Sequence, residues 1–118
     1  MKPVIHAQLS VHKYGGKIDD YLKIHEFIDI SKAAMPDMRH RAVLHHAMGC
    51  YVVQETFGIY FENSEGRTIA TRDIAEEHIV QDLGWIPTVQ DYLQHMPMDD
   101  VAWVGGMRRK MREVPIVD

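Results

Sequence analysis

Apolar residues recur at helical spacing over three stretches of this chain, and two β-prone runs flank one turn. From Ile18 to about Ala34 the positions Ile18, Tyr21, Leu22, Ile24, Ile28, Ile30 and Ala33-Ala34 fall on one helical stripe. Asp19 and Asp20 stand in its first turn, where negative charge suits the helix dipole, and Pro36 ends it. Asp37 is a good N-cap for a second helix from about Met38 to Thr56, whose wide stripe is Val43, Leu44, Ala47, Met48, Tyr51 and Val52, with Gly58 as the stop. Ile59 to Glu62 and Arg67 to Ala70 flank the turn residues Asn63-Ser64-Glu65-Gly66, which predicts a β-hairpin packed on the helices. A third helix is predicted from Arg72 to Leu83, with Thr71 as a possible cap and Gly84 at its end. A short fourth helix follows Pro87-Thr88, where Thr88 and Asp91 have capping-box spacing.

The two ends of the chain read differently. His6 to His12 shows only brief alternation before Gly15-Gly16 breaks it, so an irregular arm or short strand is expected there. Trp103 to Gly106 reads as an ordered wrap, and Arg108-Arg109-Lys110-Met111-Arg112 as a basic tail. The predicted fold is therefore a mainly helical α+β domain of three to four helices and one β-hairpin, compact over 1–107, with a basic tail at 108–118.

Composition narrows the class. A chain of 118 residues with 46% hydrophobic and 25% charged residues has room for one domain with a true core, and is neither disordered nor fibrous in character. No apolar run approaches the roughly 20 residues of a membrane span, and no secretory signal is apparent, so a cytoplasmic location is expected. The tail takes four of the 13 basic residues; with Glu113 and Asp118 also set aside, residues 1–107 carry nine basic and 15 acidic residues, a formal charge of −6. An acidic body repels a phosphate backbone, so broad duplex binding is disfavoured.

Candidate chemistry centres on histidine. One cysteine, Cys50, excludes an internal disulfide and any multi-thiolate zinc site, and its apolar neighbourhood reads as core. Eight histidines are present: His6, His12, His25, His40, His45, His46, His78 and His95. His25 with Asp29, and His78 with Asp82, stand four apart on predicted helices and so share a face. Asp37 and His40 lie three apart, and His45 flanks the stripe of the second helix. Nitrogen and oxygen donors converging from separate helices can hold a divalent ion, with Zn, Mn or Ni as plausible occupants, so His25, Asp29, His40, His45, His78 and Asp82 are the candidate ligands. The competing reading is that each aspartate only orients its own histidine. His6 and His12 can join from the arm, whereas His46 and His95 read as surface residues. Arg39 and Arg41 bracket His40 and, with Lys32, offer anion contacts; pairing with Asp37 or Glu55 is the alternative. Gly15-Gly16-Lys17 could present amides to an anion, but P-loop, dinucleotide-binding, nucleophile-elbow and His-Glu-x-x-His motifs are all missing.

The order His6-Ala7, Gly15-Gly16, His25, Arg39-His40-Arg41 with His45, Phe57-Gly58, Asn63-Ser64-x-Gly66, Glu77-His78 with Asp82-Leu83-Gly84, and Ile86-Pro87-Thr88 with Asp91 resembles a family of short uncharacterised proteins of bacteriophages and bacteria. That resemblance implies a compact domain of phage or prophage source and no particular activity. A looser similarity is to helical HD-type metal-dependent phosphohydrolases, from which the chain departs in having no adjacent His-Asp pair. The expected function is a small metal-binding domain acting as a metal-dependent phosphoester hydrolase on a small phosphorylated ligand, with Arg39 and Arg41 as catalytic anion contacts. The alternative is a non-catalytic phage accessory protein that binds a host macromolecule and whose histidines are structural.

Overall fold

The computed structural model describes residues 1–95; the expected wrap at Trp103 to Gly106 and the basic tail lie outside the described residues. The architecture is mainly helical α+β: helices α1 (Pro3–Tyr14), α2 (Asp19–Ile28), α3 (Arg41–Leu44), α4 (Ala47–Phe57), α5 (Thr71–Leu83) and α6 (Val89–Leu93), with one hairpin of β1 (Tyr60–Glu62) and β2 (Thr68–Ala70). Among the described residues no helix is long and apolar enough to cross a membrane.

The N-terminal segment is a helix, not the expected arm or strand. Pro3, with φ fixed near its helical value, starts α1, and Gly15 at φ 82° ends it. Its inward face is His6, Ala7 and Ser10, while Val4, Ile5 and Leu9 face outward. The helix thus buries polar residues and exposes apolar ones, the reverse of the stripe that normally reveals a helix.

The expected helix from Ile18 to Ala34 stops at Ile28. Asp29 leaves helical geometry at ψ 8°, and a 3₁₀ turn, Ile30–Ala33, follows with none of its residues buried. Tyr21, Ile24 and Ile28 enter the core, with His25 beside them.

The expected helix from Met38 to Thr56 is broken in the middle. A 3₁₀ turn, Met38–His40, capped by Asp37 through the Arg39 amide, leads into α3, and α4 restarts at Ala47 after His46 turns to φ −160°, ψ 173°. The His46 ring holds both broken ends. Its Nδ1 accepts the Gly49 amide at 2.9 Å, and its Nε2–H lies 3.1 and 3.0 Å from the Ala42 and Val43 carbonyls. Orphan donors and acceptors at a helix break must find partners, and one imidazole supplies them for both ends. His46 is buried for this reason, which corrects its reading as a surface residue. Gly49 allows the close turn, since a Cβ there would overlap the Leu44 carbonyl.

The hairpin forms where expected, in the register Tyr60↔Ala70, Phe61↔Ile69 and Glu62↔Thr68. Asn63 Oδ1 accepts the Glu65 and Arg67 amides, and its Nδ2 reaches the Tyr14 carbonyl and the Tyr21 hydroxyl, tying the turn to α1 and α2. Thr71 is the first residue of α5 rather than its cap, Ala70 holding the cap position. Thr88 and Asp91 close a full capping box on α6. Tyr21, Ile28, Val53, Ile74 and Ile79 are the large fully buried apolar residues of the core, which Cys50 shares.

Candidate metal centre

Four segments bring the acidic and imidazole groups together. Along α5, Ile74, His78 and Asp82 follow at four-residue steps on one face, apolar at the start and polar at the end. Along α2, Ile24 and Ile28 form the core stripe, and His25 and Asp29 form the stripe one residue further round. The broken second helix contributes His40 from its 3₁₀ turn and His45 from the break itself. The fourth contributor is α1, which places His6 and Ser10 against them.

At the centre, four donor atoms surround one point. His45 Nε2 lies 3.0 Å from Asp82 Oδ2 and 3.4 Å from Asp29 Oδ1, and His78 Nε2 lies 3.3 Å from each of the same two oxygens. These are the edges of a small polyhedron. An ion with bonds of about 2.0–2.1 Å spaces its donors by about 3.3 Å in a tetrahedron and by about 3 Å in an octahedron. All four donor side chains are at most 5% exposed. The Asp29, His45, His78 and Asp82 group is therefore geometrically able to hold a metal ion, as is a neighbouring trio, His6, His25 and His78.

His40 adds a fifth nitrogen. Its Nδ1 lies 2.8 Å from the Asp37 carbonyl, an acceptor, so Nδ1 carries a proton, and on a neutral ring Nε2 is the nitrogen with the lone pair. That Nε2 is buried, without a hydrogen-bond partner, and 3.7 Å from Asp29 Oδ1. A buried lone pair aimed at a carboxylate is unfavourable unless a cation lies between them.

Protonation follows from the surroundings. Burial penalises charge on Asp82, but hydrogen bonds from His45, His6 and His78 outweigh it and hold the carboxyl far below the usual range. Burial likewise opposes charge on Asp29, and the His78 hydrogen bond reverses the balance and lowers it. His78 is disfavoured as a cation by burial, yet its bonds to Asp29 and Asp82 raise it. Burial lowers His45. His25, buried and beside His78 and His6, is pushed down to about 3. Two buried carboxylates stay ionised here, faced by imidazoles and by two cations, Lys32 Nζ at 3.7 Å from Asp29 Oδ2 and the Met1 ammonium at 3.6 Å from Asp82 Oδ1.

The remaining candidates lie off the centre. His25 does not face the carboxylates: its Nδ1 is 2.9 Å from His78 Nδ1, and its Nε2 is 2.9 Å from Ser10 Oγ. His6 stacks on His78 at 3.8 Å between centroids and places Nε2 3.1 Å from Asp82 Oδ1. Arg39 is 80% exposed and binds Asp37 through both Nε and Nη2. Arg41 Nε is buried without a partner, and Lys32 Nζ lies 3.7 Å from Asp29 Oδ2. His12 and His95 are exposed. The loop amide of Lys17 is taken by Asp20 at 2.7 Å, so the Gly15-Gly16-Lys17 loop spends it internally rather than on an anion. Ser10 and Gln81, which binds His6 Nδ1 at 2.6 Å, belong to the cluster without having been singled out in the sequence. For Ser10 the available signal is its i,i+4 spacing from His6 between Pro3 and Gly15.

Residues 1–104 match the model of a family described as a domain of unknown function, DUF6915. No curated protein and no solved structure gives a significant match to the chain.

Proposed function

We propose that this chain, which belongs to the DUF6915 family, is a metal-binding domain that holds one divalent ion between α2, the broken α3–α4 segment and α5. The observation that carries this reading is the convergence of His45 Nε2, His78 Nε2, Asp29 Oδ1 and Asp82 Oδ2, whose four imidazole-to-carboxylate spacings run from 3.0 to 3.4 Å and which all lie within 4.8 Å of one another. His40 Nε2 supports it as a buried nitrogen without a hydrogen bond, 3.7 Å from Asp29 Oδ1. Mixed imidazole and carboxylate donors suit Zn, Mn or Ni. Tag-free protein should retain or bind about one such ion per chain, and Asp82→Asn should lose it. Metal-free protein that ignores all three ions refutes the reading.

The catalytic extension is phosphoester hydrolysis. A bound ion supplies a water of lowered pKa and polarises a phosphoryl oxygen. The chain's own part is to hold the anionic substrate, and the candidate cations are Lys32, 43% exposed and 3.7 Å from Asp29 Oδ2, and Arg41, next to His40 in the chain. Arg39 contributes only if it leaves Asp37. Chelator-sensitive turnover of nucleotides, cyclic nucleotides or generic phosphodiesters is the expected result, and Arg41→Ala should keep the ion while cutting turnover about 10–1000-fold. No turnover in metal-loaded protein would remove the enzyme half and favour a non-catalytic accessory protein. That second reading draws support from the outward apolar face of α1, where Val4, Ile5 and Leu9 are 38–40% exposed.

A further inference from the structure

We infer that His25 and Ser10 are positioning residues that fix the tautomer of His78, and that His25 is not itself a ligand. The inference rests on the metal-centre reading and follows from the direction of a buried hydrogen-bond chain. Its fixed end is Ser10. A hydroxyl has one proton, and Ser10 gives it to the His6 carbonyl one turn back in α1, at 3.1 Å. With its proton there, Ser10 offers His25 a lone pair and His25 Nε2 at 2.9 Å is the donor; the reverse chain, Ser10 to His25 to His78, would put the His78 proton on Nε2, and measuring the two tautomers separates these directions. With its proton on Nε2, neutral His25 presents a lone pair at Nδ1. The group 2.9 Å from that lone pair is His78 Nδ1, which must be protonated to make the contact.

On a neutral His78 ring the far nitrogen is then the one free for an ion, in place of the proton it otherwise shares with Asp29 and Asp82. Nε2 points at Asp29 Oδ1 and Asp82 Oδ2, 3.3 Å from each, where a lone pair is repelled unless a cation stands between. Reasoning from the other end gives the same assignment: an ion on Nε2 forces the His78 proton onto Nδ1, and His25 must then accept it. Metal-bound histidines commonly hand their second N–H to an oriented acceptor, and losing that acceptor costs about 10–100-fold in affinity. Here the acceptor is another histidine, itself oriented by a serine. His25, His78 and Ser10 are at most 6% exposed, so water has little access to substitute.

The test uses the full chain with ¹⁵N-labelled histidine. Long-range proton–nitrogen correlation should find His25 protonated at Nε2 and His78 at Nδ1 in Co²⁺-free protein loaded with Zn²⁺. In Co²⁺ titrations Ser10→Ala and His25→Leu should each weaken binding about 10–100-fold without changing the visible absorption of the bound ion. His25→Gln, whose amide oxygen can still accept from His78, should recover much of the loss. Should His25→Leu fail to fold, Ser10→Ala and the wild-type tautomers still decide. An Nδ1-protonated His25, an altered Co²⁺ spectrum in a His25 variant, or wild-type affinity in both Ser10→Ala and His25→Leu overturns this inference alone. Wild-type protein that binds neither ion refutes the metal centre itself.

Discussion

The metal centre makes a thermodynamic demand that can be measured directly. An ion that binds only the native state stabilises it by RT ln(1 + [M]/Kd), about 2.7 kcal/mol when free metal is 100 times Kd. For a chain of 118 residues with an unfolding entropy of about 2.1 cal/mol/K per residue, that corresponds to a rise in Tm of about 10 °C. Eight histidines in the unfolded chain compete for zinc and reduce the shift, so Mn²⁺, which binds imidazole less tightly, is the cleaner probe. The perturbation is Asp82→Asn. It preserves side-chain shape, removes one of the two central carboxylates and turns amide hydrogens toward His45 or His78, which lie 3.0 and 3.3 Å from Asp82 Oδ2. Differential scanning calorimetry at fixed free Mn²⁺ should show a shift of about 10 °C in the wild type and little shift in the variant. Equal shifts in both proteins would place the ion elsewhere and refute the assignment of these donors. An absent shift in the wild type up to millimolar free metal would refute the site.

Three further outcomes test the scaffold. Gly49→Ala should cost about 1–3 kcal/mol in denaturant unfolding, because the new methyl overlaps the Leu44 carbonyl at the helix break; a neutral substitution would show that the break is not held there. Asn63→Ala should cost about 2 kcal/mol or more, since two turn amides and the Tyr14 carbonyl lose a buried partner; a change under about 0.5 kcal/mol would contradict that role. Burial, with Glu76 beside it, pushes the Cys50 thiol up to about 11, so the native protein should resist thiol reagents at pH 8 and react on unfolding. The folded state disfavours the thiolate, so this group's contribution is intact below the unfolded value near 9 and is lost as pH rises toward 11. Cys50→Ala should flatten that loss, and rapid labelling of native protein would contradict the burial.

What the sequence disclosed depended on whether polar and apolar periodicities agreed. In α2 and α5 they did: the apolar stripe announced each helix, and the four-residue steps His25 to Asp29 and His78 to Asp82 put each pair on one face. The hairpin was legible from its turn residues, and the α6 capping box from Thr88 and Asp91. In α1 the two periodicities opposed each other, because His6 and Ser10 take the inward face while Val4, Ile5 and Leu9 look outward. The helix break was hidden because apolar residues continue through it; the adjacent His45 and His46 followed by Gly49 were the only local mark. Which histidine faces the carboxylates and which faces another ring is a relation between four segments, and no spacing within one of them encodes it.

The same opposition explains why the cluster sits where it does. Six of the eight histidines are buried, with two carboxylates among them, and burying polar groups costs stability unless each finds a partner. His46 meets that condition by capping both sides of the helix break, and His25 by its bonds to Ser10 and His78. His40 Nε2 and His45 Nδ1 make no hydrogen bond, and Asp29 Oδ2 has only the Lys32 ammonium at 3.7 Å. Unpaired buried groups mark where a fold gives up stability for a ligand, and one of these atoms, His40 Nε2, faces a central carboxylate oxygen. Two of those residues, His40 and Asp29, face each other at 3.7 Å across the centre that His45, His78 and Asp82 complete. A cation at that point partners the His40 nitrogen and reduces the repulsion between the two carboxylates. The unbonded His40 nitrogen and the imidazole-to-carboxylate spacings thus point to the same position, one by an energetic and one by a geometric route.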